Sequence, residues 1–465
     1  MRRTAAVLLL LGAGLAVGQF YDHVVITTAE LAPCYAPLCS VVETNLGLYD
    51  TLVLVEDIYG SMPGRDNPEK IRSFIRHAYD EWVTSFVLLG GDVEVVPCRY
   101  CRVDRGGGYV DDIPCDLYYA ALEGDWDADG DNVFGEPEDS VDLYPDIWLG
   151  RFTASSPEFN DVLVDKFVQY TGNPEADYLD QVFLNGFDLY PWCLAEQAME
   201  FYDTTLVPEA MKPCQKVYDS HSGNHRTETL ARLNAGPHIW VHSDHSGWSA
   251  MGVGWENHRE VLERTDLSGL VNGNRLGIMM TNGCSAGAYD SADCIIEHYV
   301  MAPEGGGVAA FANSRTGLLS RSDPLHGQSF MQLEGLLAAW FGHPSSARLS
   351  DLATVQAAVA PLVDTSARYR WSHYQFTLFG DPVMPVWVAG QSGSREESGS
   401  VRGEPGPRLP TVMRSPQLAL MNVRVLDAAG RDVTNRRGLL LPGVYFVRAA
   451  DADGREAGRK VLIAR

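Results

Sequence analysis

The sequence predicts an α/β fold, a doubly wound and mostly parallel sheet with helices on both faces, followed by a small all-β module. Two observations lead there. Short apolar runs alternate with stretches whose apolar residues recur at helical spacing, the pattern of successive βαβ units. Composition then breaks near Ala389, beyond which short alternating strands are separated by Gly and Asp. Open parallel sheets gather reactive groups at the carboxyl ends of their strands, so those ends direct the search for chemistry.

The chain opens Met1-Arg2-Arg3, continues through an apolar run from Ala5 to Leu11 and reaches Ala16-Val17-Gly18. A basic start, a short apolar stretch and a small-residue end read as a signal peptide over residues 1–18, implying a secreted or cell-surface protein. His23-Val-Val-Ile-Thr-Thr, Thr51-Leu-Val-Leu-Val-Glu and Ser85-Phe-Val-Leu-Leu-Gly-Gly-Asp92 then read as strands. Between the second and third, the stretch from Asn67 to Trp82 begins Asn-Pro as a helix start should. The alternation continues through Ile147-Trp-Leu-Gly, a helical stretch from Phe159 to Tyr170, Val182-Phe-Leu, His238 to His242, Leu276 to Met280 and Gly307 to Ala312. One unit over residues 19–389 accounts for these, divisible into α/β subdomains at about 19–170 and 171–389. Residues 390–413 form a flexible polar linker rich in Gly, Ser and Pro. Residues 414–465, with strands near Val423, Gly443 and Lys460, make an Ig-like β-sandwich module.

The 465 residues carry a net charge of −25, which becomes more negative once Arg2 and Arg3 are removed. Such a chain repels nucleic acid and anionic membranes and attracts calcium or basic peptides. Beyond the leader no segment approaches the ~18 uninterrupted apolar residues of a membrane span. Nine cysteines in an exported protein suggest bridges, with Cys34–Cys39 and Cys193–Cys214 as the expected short loops. An odd count leaves at least one thiol free, and Cys284 has a chemical reason to be that one.

Cys284 stands where the run Arg275-Leu-Gly-Ile-Met-Met-Thr gives way to a small-residue turn, Asn-Gly-Cys-Ser-Ala-Gly. The run His238-Ile-Trp-Val-His242 passes into Ser-Asp-His245-Ser-Gly in the same way. If both strands lie in one parallel sheet, spaced roughly 4.8 Å apart, a thiol and an imidazole leaving their carboxyl ends can meet. A cysteine attacks carbonyl carbon as thiolate and needs a base, which His245 can supply. A carboxylate to fix the imidazole cannot be chosen from spacing alone. The bland alternatives are a core cysteine and a histidine holding a local hydrogen bond. His242 is a rival base, although its position inside the strand suits a structural role.

The same run from His242 to Gly247, followed by Thr281-Asn-Gly-Cys284-Ser-Ala-Gly-Ala-Tyr and Asp293-Cys-Ile-Ile-Glu297, resembles the catalytic core of gingipain-type cysteine peptidases. Further matches are Leu88-Leu-Gly-Gly-Asp-Val-Glu-Val-Val-Pro97, Asp116-Leu-Tyr-Tyr-Ala, Tyr144-Pro-Asp-Ile-Trp-Leu-Gly-Arg151-Phe, Gly305-Gly-Gly-Val-Ala-Ala-Phe-Ala-Asn-Ser-Arg-Thr-Gly317 and Phe376-Thr-Leu-Phe-Gly-Asp-Pro382. They run in the family's order over residues 22–388. The resemblance implies a caspase-like fold and a cysteine endopeptidase acting on polypeptides, with a lean toward basic residues before the cut bond. It implies that Cys284 is the nucleophile, His245 the general base and Asp146 the His-orienting carboxylate. Glu297 and Asp381 match positions with structural hydrogen-bonding roles. The family usually has Gly directly after the catalytic His; here Ser246 stands there, so the oxyanion would be met by the N–H groups of Ser246 and Cys284. A non-cleaving, calcium-stabilised surface binding protein on the same scaffold is the opposing expectation.

Asp125-Trp-Asp127-Ala-Asp129-Gly130-Asp131-Asn-Val-Phe-Gly-Glu136 places carboxylates at positions one, three, five, seven and twelve with Gly at six. That spacing matches an EF-hand type loop, whose seventh position contributes its backbone carbonyl, so structural Ca2+ held by Asp125, Asp127, Asp129, Asp131 and Glu136 is expected. The terminal module resembles the sorting domains of type IX secretion, which implies a secretion machinery as partner. A metal site of His242, Asp244 and His245 is a remoter alternative. His221, His225 and His258 lack metal-ligand spacing and are expected to be structural, and no phosphate-cradling glycine loop is present.

Overall fold

A computed structural model describes residues 20–388, apart from 142, 173, 345 and 346, together with four strands of the terminal module. The expected signal peptide and most of the linker lie outside the described residues.

Ten strands form the central sheet: β1 (His23–Thr27), β2 (Asp50–Leu54), β3 (Phe86–Gly90), β4 (Trp148–Phe152), β5 (Val182–Gly186), β6 (Gln215–Tyr218), β7 (Ile239–Ser243), β8 (Gly277–Thr281), β9 (Gly307–Asn313) and β10 (Phe376–Phe379). Their spatial order is β6-β5-β7-β8-β9-β10-β4-β3-β1-β2. Strands β5 to β9 are mutually parallel, and so are β1 to β4 with β10. The two halves meet antiparallel where Ala310 to Asn313 of β9 pair with Phe376 to Phe379 of β10. The carboxyl ends of β7 and β8 therefore share an edge with the amino ends of the first half.

Strands β1, β5, β7, β8, β9 and β10 are buried along their whole length, as expected of strands covered on both faces. Side chains alternate between the faces of the first half. Val25 and Leu88 face α1 (Ala36–Asn45) and α3 (Pro157–Gly172), whereas Val24, Ile26, Val87 and Leu89 face α2 (Asn67–Trp82). Helix α2 has Pro in its first turn, and the side chain of its N-cap, Asp66, accepts from Glu69 N–H. Three further helices matter below: α4 (His225–Ala235), α5 (Gln328–Gly342) and α6 (Ala367–Gln375), the last feeding directly into β10. No helix among the described residues is long and apolar enough to cross a membrane.

All nine cysteines are unbridged, against the expected Cys34–Cys39 and Cys193–Cys214 pairs. Each of three of those thiols is turned to another acceptor: Cys34 to Pro157 O, Cys193 to Pro324 O and Cys214 to Asp203 Oδ1. Beyond the main unit, strands β11 (Val412–Arg414), β12 (Arg424–Asp427), β13 (Gly443–Ala450) and β14 (Glu456–Ala464) form a separate four-stranded sheet in the order β11-β14-β13-β12.

Candidate active site

His242 on β7 is in register with Thr281 on β8, so His245 and Cys284 each leave the sheet three residues beyond one paired level. The two turns pack on one another. A Cβ added to Gly283 would come within 2.2 Å of Ser246 Oγ, so only glycine lets the turn before Cys284 approach the turn after His245. Cys284 is half-buried and is followed by Ser285 in the left-handed region at φ 51°. That sharp turn is held by Ser285 N–H donating to Arg315 O at 2.8 Å and Gly287 N–H to Asn313 O at 3.0 Å.

Burial pushes the Cys284 thiol up, while the Gly317 backbone N–H and the positive charge of Arg105 pull the other way. Gly317 has to be glycine for this, since a Cβ there would lie 2.4 Å from Asn282 O. Arg105 comes from the other half of the sheet, in the loop between strands Tyr100–Asp104 and Val110–Pro114. Its guanidinium sits 4.5 Å from the Tyr109 ring centroid and 4.6 Å from that of Trp371. A cation clamped between aromatic faces is fixed in place at little entropic cost when it acts on the thiol.

The His245 ring is oriented by the backbone. Its Nε2–H donates to Leu189 O at 2.8 Å, which leaves Nδ1 as the basic nitrogen of the neutral ring. Tyr190 stands edge-on, with ring centroids 5.4 Å apart. Asp244 anchors the turn: Oδ1 accepts from His245 N at 2.6 Å, and Oδ2 from Gly254 N at 2.7 Å and Trp255 N at 3.0 Å. Burial raises its carboxyl to about 6. His242 is fully buried between Thr281 Oγ1, 2.8 Å from Nδ1, and Gly252 O, 2.7 Å from Nε2. With both nitrogens so held, and burial lowering its pKa to about 4, it serves the architecture. The three side chains of His242, Asp244 and His245 are thus spent on separate local bonds and do not converge as a metal site would require.

Asp146 sits just ahead of β4. Its N–H donates to Ala120 O at 2.8 Å and its Oδ2 accepts from Leu122 N at 2.8 Å. Its charge bears on Arg72, whose guanidinium binds Tyr118 O and Ala121 O. His245 Nε2–H is taken by Leu189 O, and the Asp146 bonds named above are made with the Ala120–Leu122 turn. Ser246 has no positive φ, and Gly247 has nothing within 4 Å of an added Cβ, so the exchange of Gly for Ser at 246 meets no backbone conflict. Glu297 is buried and accepts from Cys294 N at 2.5 Å, closing the start of the helix Ile295–Val300; burial and the charge of Asp92 raise its carboxyl to about 8. Asp381 is buried with Oδ2 3.3 Å from His23 Nε2. The quoted Asp116 and Gly-Arg151 motifs also meet: Arg151 is buried in a two-pronged pair with Asp116, at 2.8 and 2.7 Å, and lies 5.2 Å from the Tyr289 ring in the Cys284 turn.

The acidic loop departs from the expected ligand set. The carboxylates that converge are Asp127, Asp129 and Asp139, each offering an oxygen within 4.8 Å of the others. Asn132 at φ 67° and Gly135 at φ 77° fold the loop back early. The short strands Gly124–Asp125 and Ser140–Val141 then close it, bringing Asp139 across to accept from Ala128 N at 2.7 Å. Asp125, Asp131 and Glu136 lie outside that converging set; Asp125 and Asp131 each accept a backbone N–H two residues on. Arg65 pairs with Asp127.

Leu189, Arg105 and Gly317 were missed from sequence. A backbone carbonyl carries no residue signature, but Arg105-Gly-Gly-Gly-Tyr109, a glycine-rich loop between strands, was a readable signal for a segment reaching over another surface.

A family model described as Peptidase family C25 matches residues 18–387. No curated protein sequence matches. Among solved structures, that of a protease superposes with TM-score 0.62 at 16% identity, covering 95% of this chain and 97% of its own. The complex of Porphyromonas gingivalis RgpB pro- and mature domains gives 0.62 at 14%, covering 95% and 100%. The Arg-specific cysteine proteinase gingipain R (RgpB) gives 0.61 at 14%, covering 97% and 100%. At such identities these likenesses speak to fold, and they agree with a caspase-like α/β architecture.

Proposed function

The chain belongs to peptidase family C25, and from that membership we propose a secreted cysteine endopeptidase working through Cys284 and His245. The observation that carries this reading is the common level at which the two side chains leave β7 and β8, with Nε2 of His245 held by Leu189 O. His245 Nδ1 takes the thiol proton as sulfur attacks the scissile carbonyl carbon. The resulting oxyanion is met by the N–H groups of Cys284 and Ser246. Collapse breaks the C–N bond, and His245 returns the proton to the leaving amine. Water, deprotonated by His245, then attacks the thioester and frees the acid and the thiol. Leu189 O orients the ring in this scheme; Asp146 steadies the Ala120–Leu122 turn on the same edge.

Preference for Arg or Lys before the cut bond is the finer part of the proposal, supported by the strongly acidic balance of the chain and by the Arg specificity of gingipain R. Ca2+ in the loop at Asp127, Asp129 and Asp139 is a further part, supported by an all-oxygen donor set that suits a hard cation. Bound there, it would neutralise clustered charge and hold the loop. Export through residues 1–18, and sorting through the terminal module by a secretion machinery, complete the reading.

The test is hydrolysis of an unbiased peptide library. Cys284→Ala should lower kcat/KM on the order of 10^4-fold or more, and His245→Ala comparably. Equal inactivity of wild type and Cys284→Ala would instead favour the non-cleaving surface binding protein.

A further inference from the structure

We propose that Asp219, His225 and His258 form a binding site for a divalent transition-metal ion of the zinc class, apart from the catalytic pair. The three come from separate segments: the turn after β6, the first residue of α4 and the short helix Trp255–His258. One ligand atom from each lies within 4.8 Å of the others. No local sequence spacing announces them, which is why each histidine taken singly reads as structural.

The donor atoms lie close together, and His225 and Asp219 are already held on their far sides. His225 is 1% exposed, and its Nε2–H donates to His221 O at 3.0 Å. In the neutral ring Nδ1 then carries a lone pair, and that buried atom has no hydrogen-bond partner among the described residues. An unmet buried acceptor is costly, so a cation that accepts its lone pair has a ready driving force. Asp219 Oδ1 is also without a hydrogen bond there, facing His258 Nε2 at 3.0 Å, while Oδ2 accepts from Asn257 Nδ2. Metal-bound imidazoles and carboxylates are ordinarily steadied through their second atom in this manner. Gly254, at φ 99°, keeps the space clear: a Cβ there would stand 2.8 Å from His225 Nδ1 and 3.5 Å from Asp219 Oδ1.

Two imidazoles and a carboxylate suit zinc-class ions and are a poor match for calcium, which wants oxygen. Ligand bonds of about 2.0 to 2.2 Å put neighbouring donors of a tetrahedron roughly 3.3 to 3.6 Å apart. The His258–Asp219 pair at 3.0 Å has to open slightly, and the other spacings, all within 4.8 Å, have to settle at that distance. His258 is 39% exposed, which gives the ion a way in and leaves a fourth position to water. The ion would brace the segment whose Gly254 and Trp255 N–H groups hold Asp244, and through it the His245 turn.

The experiment strips the full chain with chelator, restores Ca2+, dialyses against buffered Zn2+ and measures metal per chain. Co2+ replacement reports the donor set through its visible spectrum. His258→Ala removes a partly exposed side chain and Asp219→Asn preserves shape, so both should fold. Wild type should hold one Zn2+ that each variant binds on the order of 100-fold more weakly, with a tetrahedral Co2+ spectrum free of thiolate charge transfer. Wild type without bound Zn2+, or either variant binding it as wild type does, overturns the proposal.

Discussion

The Cys284 thiol is set by opposing local effects, and their signs predict how it behaves. Its pKa is raised, by burial first, so the reactive thiolate is the minor form at neutral pH and grows as pH rises. Gly317 N–H and Arg105 favour the thiolate. Removing either should move the pH dependence of Cys284 alkylation to higher pH and slow it at pH 7. Arg105→Ala and Gly317→Ala, followed by mass-spectrometric mapping of the alkylated cysteine, check this; an unmoved profile in both would remove those groups from the site. The placement of Cys284 and His245 just beyond two neighbouring strand ends was legible because apolar runs giving out into small-residue turns mark such ends. Leu189 was not, because what it contributes is a carbonyl oxygen that any residue has. Asp146 was legible only by resemblance, and one oxygen of its carboxylate accepts from Leu122 N.

Among elements, α2 was readable to its ends because its start carries explicit chemistry. Asp66 caps it by accepting from Glu69 N at 2.9 Å and grips Arg99, at 2.9 and 2.6 Å, whose guanidinium lies 3.8 Å from the Phe134 ring. Asp66→Ala should cost about 2 kcal/mol, the cap plus a solvent-screened part of the ion pair. Asp66→Asn should cost roughly half, since it keeps a capping oxygen. The Asp66 carboxyl is held below its ordinary value: burial would raise it, but Arg99 and the Glu69 N–H outweigh that. Its contribution is therefore full above the unfolded carboxyl's pKa near ~3.9 and fades as pH falls below it. Urea unfolding from pH 7 down to pH 3 should show wild type losing its advantage over Asp66→Ala in that window. The acidic loop was less readable because an EF-hand spacing assumes one loop path. Left-handed Asn132 and Gly135 chose another, and Asp139 took the place expected of Glu136.

For the whole molecule, alternating strands and helices revealed a wound sheet, yet nothing in the four residues of β10 disclosed its direction. That strand arrives after α6, lies antiparallel to β9 and parallel to β4, and so joins the halves. What fixes α6 is the segment of the acidic loop. Gly135 O accepts from Arg370 Nη1 at 2.9 Å and from Tyr374 OH at 2.7 Å, and Leu143 O is 2.8 Å from His373 Nε2. These bonds span more than two hundred positions of sequence, which is why no local pattern foretold them. If Ca2+ holds Asp127, Asp129 and Asp139, its removal frees like charges to push the loop apart and slackens its grip on α6 and hence on the seam between halves. A ligand that binds only the folded state stabilises by RT ln(1 + [L]/Kd), about 2.7 kcal/mol at a hundredfold excess over Kd. Chelation should accordingly lower Tm by several degrees, roughly 2–4 °C per kcal/mol at the smaller domain sizes for which that scaling is known. Readdition of Ca2+ should restore it, and Mg2+, which demands stricter octahedral geometry, should not. Asp129→Asn and Asp139→Asn should each bring Tm near the chelated value and make it insensitive to Ca2+. A Ca2+-independent Tm in wild type would show that Arg65 on Asp127 and the backbone N–H groups on Asp139 already balance the loop by themselves.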